Sequence, residues 1–160
     1  MAVKIVVASD NHYAKESIRY IIEHEKADYY FHCGDSDMKE EDLKGWYAVS
    51  GNHDEYTSSF PEEIIVEVEK HRFLIVHGHR QLAFIRHYQG VIDYAKEKKC
   101  DVVCFGHLHQ YIDETADGIR VLNPGSLRYP RDSANRTYMV LTVDENEIIA
   151  EKRVFKGGFF

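Results

Sequence analysis

Cysteine and proline are both scarce in this chain of 160 residues, three of each. Three is an odd number of cysteines, and Cys33, Cys100 and Cys104 show no framework spacing. Each sits in an apolar run. They are expected to be buried, reduced thiols rather than disulfides, catalytic thiols or metal ligands. Long hydrophobic runs are missing too. None approaches the roughly 20 residues that span a bilayer, so no membrane partner is expected. The opening MAVKIVVASD lacks the extended apolar stretch and cleavage site of a secretory leader, which together with reduced thiols leads us to expect a cytoplasmic protein. There is no basic excess: 20 Lys and Arg stand against 27 Asp and Glu, a formal net charge of −7. Coating a nucleic-acid polymer requires clustered cations, so no such partner is expected. A small phosphate-bearing substrate is not excluded, because bound cations can invert the local field. Repeats, low-complexity tracts and linkers are absent from the sequence. The length fits one domain, residues 1–160, able to bury a core without staples.

What the chain does have is short apolar runs, 44% apolar residues in all. KIVVAS (Lys4 to Ser9), YYFHCG, WYAVSG and CDVVCFG read as buried strands. Ile18, Ile21 and Ile22 recur at helical spacing in KESIRYIIEHEK. Ile85, Tyr88, Ile92 and Ala95 do the same in FIRHYQGVIDYAKEKK, although Gly90 counts against that helix. EEIIVEVEKHRFLIVHGH predicts two antiparallel strands. Asp117-Gly118 predicts a tight hairpin turn, and RTYMVLTVDENEIIAEKRVF predicts two strands joined at DENE. Strand, helix and strand at the start imply a βαβ unit with parallel pairing. The expected fold class is α/β: a four-layer α/β/β/α sandwich, two mixed β-sheets packed face to face with helices outside.

The strand ends carry the chemistry. After KIVVAS comes Asp10-Asn11-His12; after YYFHC, Gly34-Asp35; after WYAVS, Gly51-Asn52-His53-Asp54. RFLIV is followed by His77-Gly78-His79, and CDVVCF by Gly106-His107-Leu108-His109. Ligands bind beyond the carboxyl ends of parallel strands. If these strands lie side by side, all five loops meet at one site. Carboxylate, imidazole and amide oxygen together suit divalent Mn, Fe, Zn, Co or Ni, where an all-carboxylate set would favour Mg or Ca. There are too many candidates for one tetrahedral zinc. Two ions sharing a carboxylate would use the set well, and such a pair is a clamp for phosphoryl displacement.

In this order, DNH, GD, GNHD, HGH and GHLH resemble the calcineurin-like metallophosphoesterases. The short chain and the NPGS after the last motif are most similar to the small YfcE-type phosphodiesterase branch, which has the retromer subunit of the same fold as a relative. The resemblance runs from about residue 3 to residue 143. It implies that Asp10, His12 and His109 hold one metal ion, that Asn52, His77 and His107 hold the other, and that Asp35 bridges them. The implied cofactors are two divalent ions, Mn foremost, with Ni, Fe, Co or Zn as alternatives. The implied reaction is hydrolysis of a small phosphate ester, a phosphodiester above all, by in-line attack of a metal-bridging hydroxide. His53 would stabilise transition-state charge or protonate the leaving oxygen, and Asp54 would orient it.

Around this set, His79 is a candidate for facing substrate, and Arg128 and Arg131 for gripping its phosphate. Ser126 would support the ligands and His32 would hydrogen-bond within the site. Tyr56 and Tyr129 flank motif loops. His24, His71 and His87 are expected to be ordinary residues, with His87 solvated on the second helix. Two rivals stand beside the enzyme. One is a non-catalytic protein-interaction scaffold of the same fold, as the retromer relative implies. The other is a nuclease for polymeric DNA or RNA, against which the acidic charge argues. The apolar tail, Phe159 and Phe160, leaves a homo-oligomer open.

Overall fold

Alternation along the strands decides which face of each sheet meets which layer. The computed structural model describes residues 2–54 and 59–156; Tyr56 and the Phe159-Phe160 tail lie outside them. The elements are β1 (Val3–Ala8), α1 (Lys15–His24), β2 (Tyr29–His32), β3 (Tyr47–Ala48), β4 (Glu63–Val68) and β5 (His71–Val76). Then follow α2 (Gln89–Glu97), β6 (Val102–Cys104), β7 (Tyr111–Ala116), β8 (Ile119–Pro124), β9 (Thr137–Val143) and β10 (Ile148–Val154). Two five-stranded mixed sheets result, ordered β10-β9-β1-β2-β3 and β4-β5-β6-β8-β7. β1, β2 and β3 run parallel in the first, and β5, β6 and β8 in the second.

Successive strand side chains point to opposite faces. Ile5 and Val7 of β1 therefore join Phe73 and Ile75 of β5 in the core between the sheets. Val6 and Ala8 turn the other way, onto Ile18 and Ile21 of α1. Leu74 and Val76 turn onto Val91, Ile92 and Ala95 of α2. Each central strand is buried on both faces, which is why it reads as an unbroken apolar run. The four layers are those expected. The βαβ start is parallel, with Ile5 paired to Tyr29, and the Asp117-Gly118 turn holds both residues at left-handed φ, 53° and 78°. All three cysteines are buried and unpaired. Burial pushes the Cys104 thiol up to about 12, so it stays protonated and inert.

One expectation is corrected. The second helix does not begin at Ile85. Arg86, His87 and Tyr88 hold left-handed φ of 52°, 52° and 55°, a conformation that ends any helical path, so α2 starts at Gln89. Ile85 and His87 lie exposed in the loop before it, while Tyr88 reaches the core from its cap position. Gly90 is no defect here. A Cβ at that position would lie 1.9 Å from the Gln81 carbonyl oxygen, so the missing side chain lets the loop dock on the first turn of α2. In α1, Ile18 and Ile21 face inward but Ile22 turns to solvent. The strand ends that carry the candidate residues are shared between the two sheets. β1, β2 and β3 belong to one sheet and β5 and β6 to the other, and the loops meet because the sheets face each other. Among the described residues no helix is long and apolar enough to cross a membrane.

Candidate metal centre

The parallel ladder of β1 and β2 continues past the strands. Asp10 N–H donates to Gly34 O at 3.0 Å, and His12 N–H donates to Asp35 O at 3.1 Å. This sets Asp10 and Asp35 on adjacent loops of the first sheet. The second sheet is stitched to them by two bonds. His107 N–H donates to Asp10 Oδ2 at 3.1 Å, and His77 Nδ1 donates to the Cys33 carbonyl at 2.7 Å. Gly51, after β3, presses its backbone against Asp35: a Cβ there would lie 2.1 Å from Asp35 Oδ1 and 2.6 Å from Asp35 N. Only glycine allows that approach.

Each carboxylate has one oxygen tied down and one aimed inward. Asp10 Oδ2 accepts from Ser9 Oγ at 2.6 Å and from His107 N–H. Asp35 Oδ1 accepts from His53 N–H at 2.9 Å. Asp10 Oδ1 then faces Nε2 of His109, His12 and His77 at 3.2, 3.8 and 3.9 Å. Asp35 Oδ2 faces His77 Nε2 at 3.2 Å. The imidazoles are oriented from behind. His77 and His109 donate Nδ1–H to the carbonyls of Cys33 and Tyr129, each at 2.7 Å, and His12 Nδ1 meets Asp37 Oδ2 at 3.2 Å. Rings held this way turn their Nε2 atoms to the centre.

Lone pairs facing carboxylate oxygens repel unless a cation or proton lies between them. Asp10 Oδ1 and His12 Nε2 are also buried without a hydrogen-bond partner among the described residues, a cost that native proteins seldom leave uncompensated. Two ligand groups fit a metal ion, Asp10 with His12 and His109, and Asp10 with Asp35 and His77, the atoms of each lying within 4.8 Å of one another. Asp10 is common to both, whereas the sequence resemblance gives the shared role to Asp35. The donor set of carboxylate oxygen and imidazole nitrogen suits a divalent transition ion. Backbone strain marks the same residues. Asp10, His12, Asp35, His107 and His109 all hold left-handed φ between 39° and 69°, at a cost that concentrates at functional sites.

The electrostatics follow from the pairing. Burial alone would lower the His77 pKa, but Asp10 and Asp35 outweigh it and hold the ring up at about 9. Burial raises Asp10, yet His77, His109 and the Ser9 hydroxyl more than reverse it, leaving the carboxyl well below its usual range. His107 goes the other way, down to about 4, through burial and the neighbouring His77.

Asn52 and His53 are exposed in the turn after β3. The His53 ring stands edge-on to His12 at 5.4 Å. The His107 ring is 5.0 Å from His77, its Nδ1 3.3 Å from His77 Nε2. The Asp54 carboxylate accepts backbone N–H bonds from Asp35, Gly51 and Asp37 at 2.8, 2.8 and 2.9 Å, which ties the Asp35 loop to the Gly51 turn. His79 is half-buried, its ring 5.3 Å from His77. Arg128 donates to the His12 carbonyl at 2.6 Å and stacks over Tyr129. The Arg131 side chain is exposed, while its backbone N–H donates to His109 O at 2.9 Å. Ser126 Oγ donates to Asp10 O at 2.8 Å, and His32 pairs with Asn11 at 2.7 Å. Sequence reading missed Asp37 and Ser9. The second aspartate of GDSD was the available signal for Asp37; Ser9 reads only as the end of a strand.

The facing sheets, with aspartates and imidazoles where their strand ends meet, define the metallophosphoesterase class of site. The chain belongs to the calcineurin-like phosphoesterase superfamily, whose domain model matches residues 3–146. It is 31% identical over 150 residues to a probable metallophosphoesterase of Bacillus subtilis, YsnB, covering 89% of this chain and 85% of that one. It is 34% identical over 145 residues to the phosphodiesterase MJ0936 of Methanocaldococcus jannaschii, covering 76% and 82%. Among solved structures, a conserved protein of Streptococcus pneumoniae described as a predicted phosphoesterase aligns with a TM-score of 0.88 at 26% identity, covering 98% of this chain and 95% of that one.

Proposed function

We propose that the chain is a phosphodiesterase for small molecules, working at a pair of divalent cations with Mn as the foremost choice. One ion would be held by Asp10, His12 and His109, the other by Asn52, His77 and His107, with Asp35 placed between them. The observation that carries this reading is Asp10 Oδ1, unpartnered and ringed by three inward Nε2 atoms at 3.2 to 3.9 Å. When bound, such cations supply an ionised water near neutral pH and neutralise phosphate charge. The chain's own residues do the rest. The carbonyls of Cys33 and Tyr129 fix the His77 and His109 rings. The exposed His53 imidazole, edge-on to His12, would give a proton to the departing ester oxygen. Water adds to phosphorus, the ester P–O bond breaks, and the alcohol leaves protonated. Asp10, His12 and His109 also hold left-handed φ, a strain that concentrates at functional sites and supports the enzyme over a non-catalytic scaffold.

The test is hydrolysis of bis-p-nitrophenyl phosphate and p-nitrophenyl phosphate by chelator-stripped protein, with Mn²⁺, Ni²⁺, Co²⁺, Zn²⁺ or Mg²⁺ restored singly. Diester cleavage that returns with metal and is lost in Asp35→Asn is the expected result. No turnover by folded, metal-loaded protein would overturn the reading in favour of the scaffold.

A further inference from the structure

The loop between β8 and β9 supports one half of the metal centre. Its residues 126–131 reach Asp10, His12 and His109, which form one of the two groups that fit an ion. Ser126 Oγ donates to Asp10 O at 2.8 Å. Arg128 Nη1 donates to His12 O at 2.6 Å. Tyr129 O accepts from His109 Nδ1 at 2.7 Å, and Arg131 N–H donates to His109 O at 2.9 Å. The loop is held in shape from inside. The Ser126 hydroxyl is buried and accepts the N–H groups of Arg128 and Tyr129 at 3.1 and 2.8 Å. The residues placed around the other ion lean elsewhere: His77 on the Cys33 carbonyl and His107, through its N–H, on Asp10 Oδ2.

Within the loop the two side-chain donors differ in what they touch. Ser126 meets Asp10, which is common to both ligand groups; Arg128 meets His12, which belongs to one. His12 holds φ at 39°, a conformation that such a residue adopts only when its surroundings impose it. A charge-assisted bond on its carbonyl fixes that backbone, as Asp37 fixes the ring from Nδ1. This contact gives the guanidinium a task other than the phosphate grip expected from the sequence. We propose that Arg128 is a positioning residue for the ion held by Asp10, His12 and His109: it sets that ion's affinity and not the other's, so that the two ions load separately. This rests on the two-ion reading above.

Isothermal titration calorimetry of the chelator-stripped full chain with Mn²⁺ tests it without turnover. The wild type should take two equivalents. Arg128→Met should weaken one of them about tenfold, the usual loss when a group behind a metal ligand is removed, and leave the other in place. Arg128→Lys, the milder change, should weaken the same equivalent less. Arg131→Ala removes the same charge from the same loop, but Arg131 holds His109 through its backbone, so neither affinity should move. Equal weakening of both equivalents by Arg128→Met, or an equal shift in Arg131→Ala, would overturn the assignment. So would unmoved affinities with a raised KM for bis-p-nitrophenyl phosphate at saturating Mn²⁺, the outcome of a phosphate grip. Selective weakening in a protein that hydrolyses neither nitrophenyl ester would support Arg128 in this role and overturn the phosphodiesterase reading. A single equivalent, weakened in Arg128→Met, would support the link to His12 and overturn the ion pair. No Mn²⁺ bound by the wild type would overturn both.

Discussion

Stripping the metal should make this protein's stability fall as pH rises. In the metal-free centre a proton must do the work of the cation, and His77 carries it, wedged between Asp10 Oδ1 at 3.9 Å and Asp35 Oδ2 at 3.2 Å. Its pKa rises from 6.5 in the unfolded chain to about 9 in the fold. A pKa raised on folding contributes stability that is complete below the unfolded value and lost as pH passes the folded value. The window is therefore about pH 6.5 to 9, and the loss across it is about 3 kcal/mol, counting about 1.4 kcal/mol per tenfold change in proton affinity. The depressed Asp10 carboxyl reports the same attraction from the other partner and is not added to it. Metal competes with this proton for Nε2, so its affinity should climb over the same window, and added Mn²⁺ should restore stability most at the alkaline end. Urea midpoints in EDTA from about pH 5.5 to 9.5, for wild type and His77→Gln, measure the effect. The variant should show a flatter slope between pH 6.5 and 9. Equal slopes for both proteins would refute the idea that His77 holds a proton against the two carboxylates.

The layers of the fold were legible because central strands buried on both faces leave unbroken apolar runs, as in KIVVAS and RFLIV. The loops that bring carboxylates and imidazoles together were legible as well, because such residues stand out at the ends of those runs. Less could be read where local pattern and tertiary contact disagree. Ile85 and Tyr88 have the spacing of a helix face, but three successive left-handed residues end that path, and Gly90 is explained only by the Gln81 carbonyl packed against it. Assigning strand ends to sheets was equally closed to sequence, since a parallel strand of one sheet looks like a parallel strand of the other. Asp37 escaped notice because its partner is 25 residues away, at His12 Nδ1. The carbonyls that orient His77 and His109 have no side-chain signature at all.

His53 and Asp54 are neighbours in the chain with different expected failures. His53→Ala should keep its metal and lower kcat by about 10²–10⁴, the usual loss of a proton donor; full activity on a diester with a poor leaving group would remove it from the mechanism. Asp54→Ala should fail earlier, in the fold of the site. The substitution strands the N–H groups of Asp35, Gly51 and Asp37, now bonded at 2.8 to 2.9 Å. At about 1–3 kcal/mol for each donor left unmade, the cost is about 3–9 kcal/mol. Burial pushes the Asp54 carboxyl up, against the backbone N–H bonds that favour its ionised form; its two oxygens act on the loop as acceptors of those bonds. Asp54→Asn retains one acceptor oxygen and should therefore lose less, while turning an NH₂ group against a backbone donor. Denaturant midpoints and metal titrations separate the two roles. If Asp54→Ala keeps its midpoint and its metal affinity and loses only kcat, Asp54 acts through His53 and not through the backbone of the Asp35 loop.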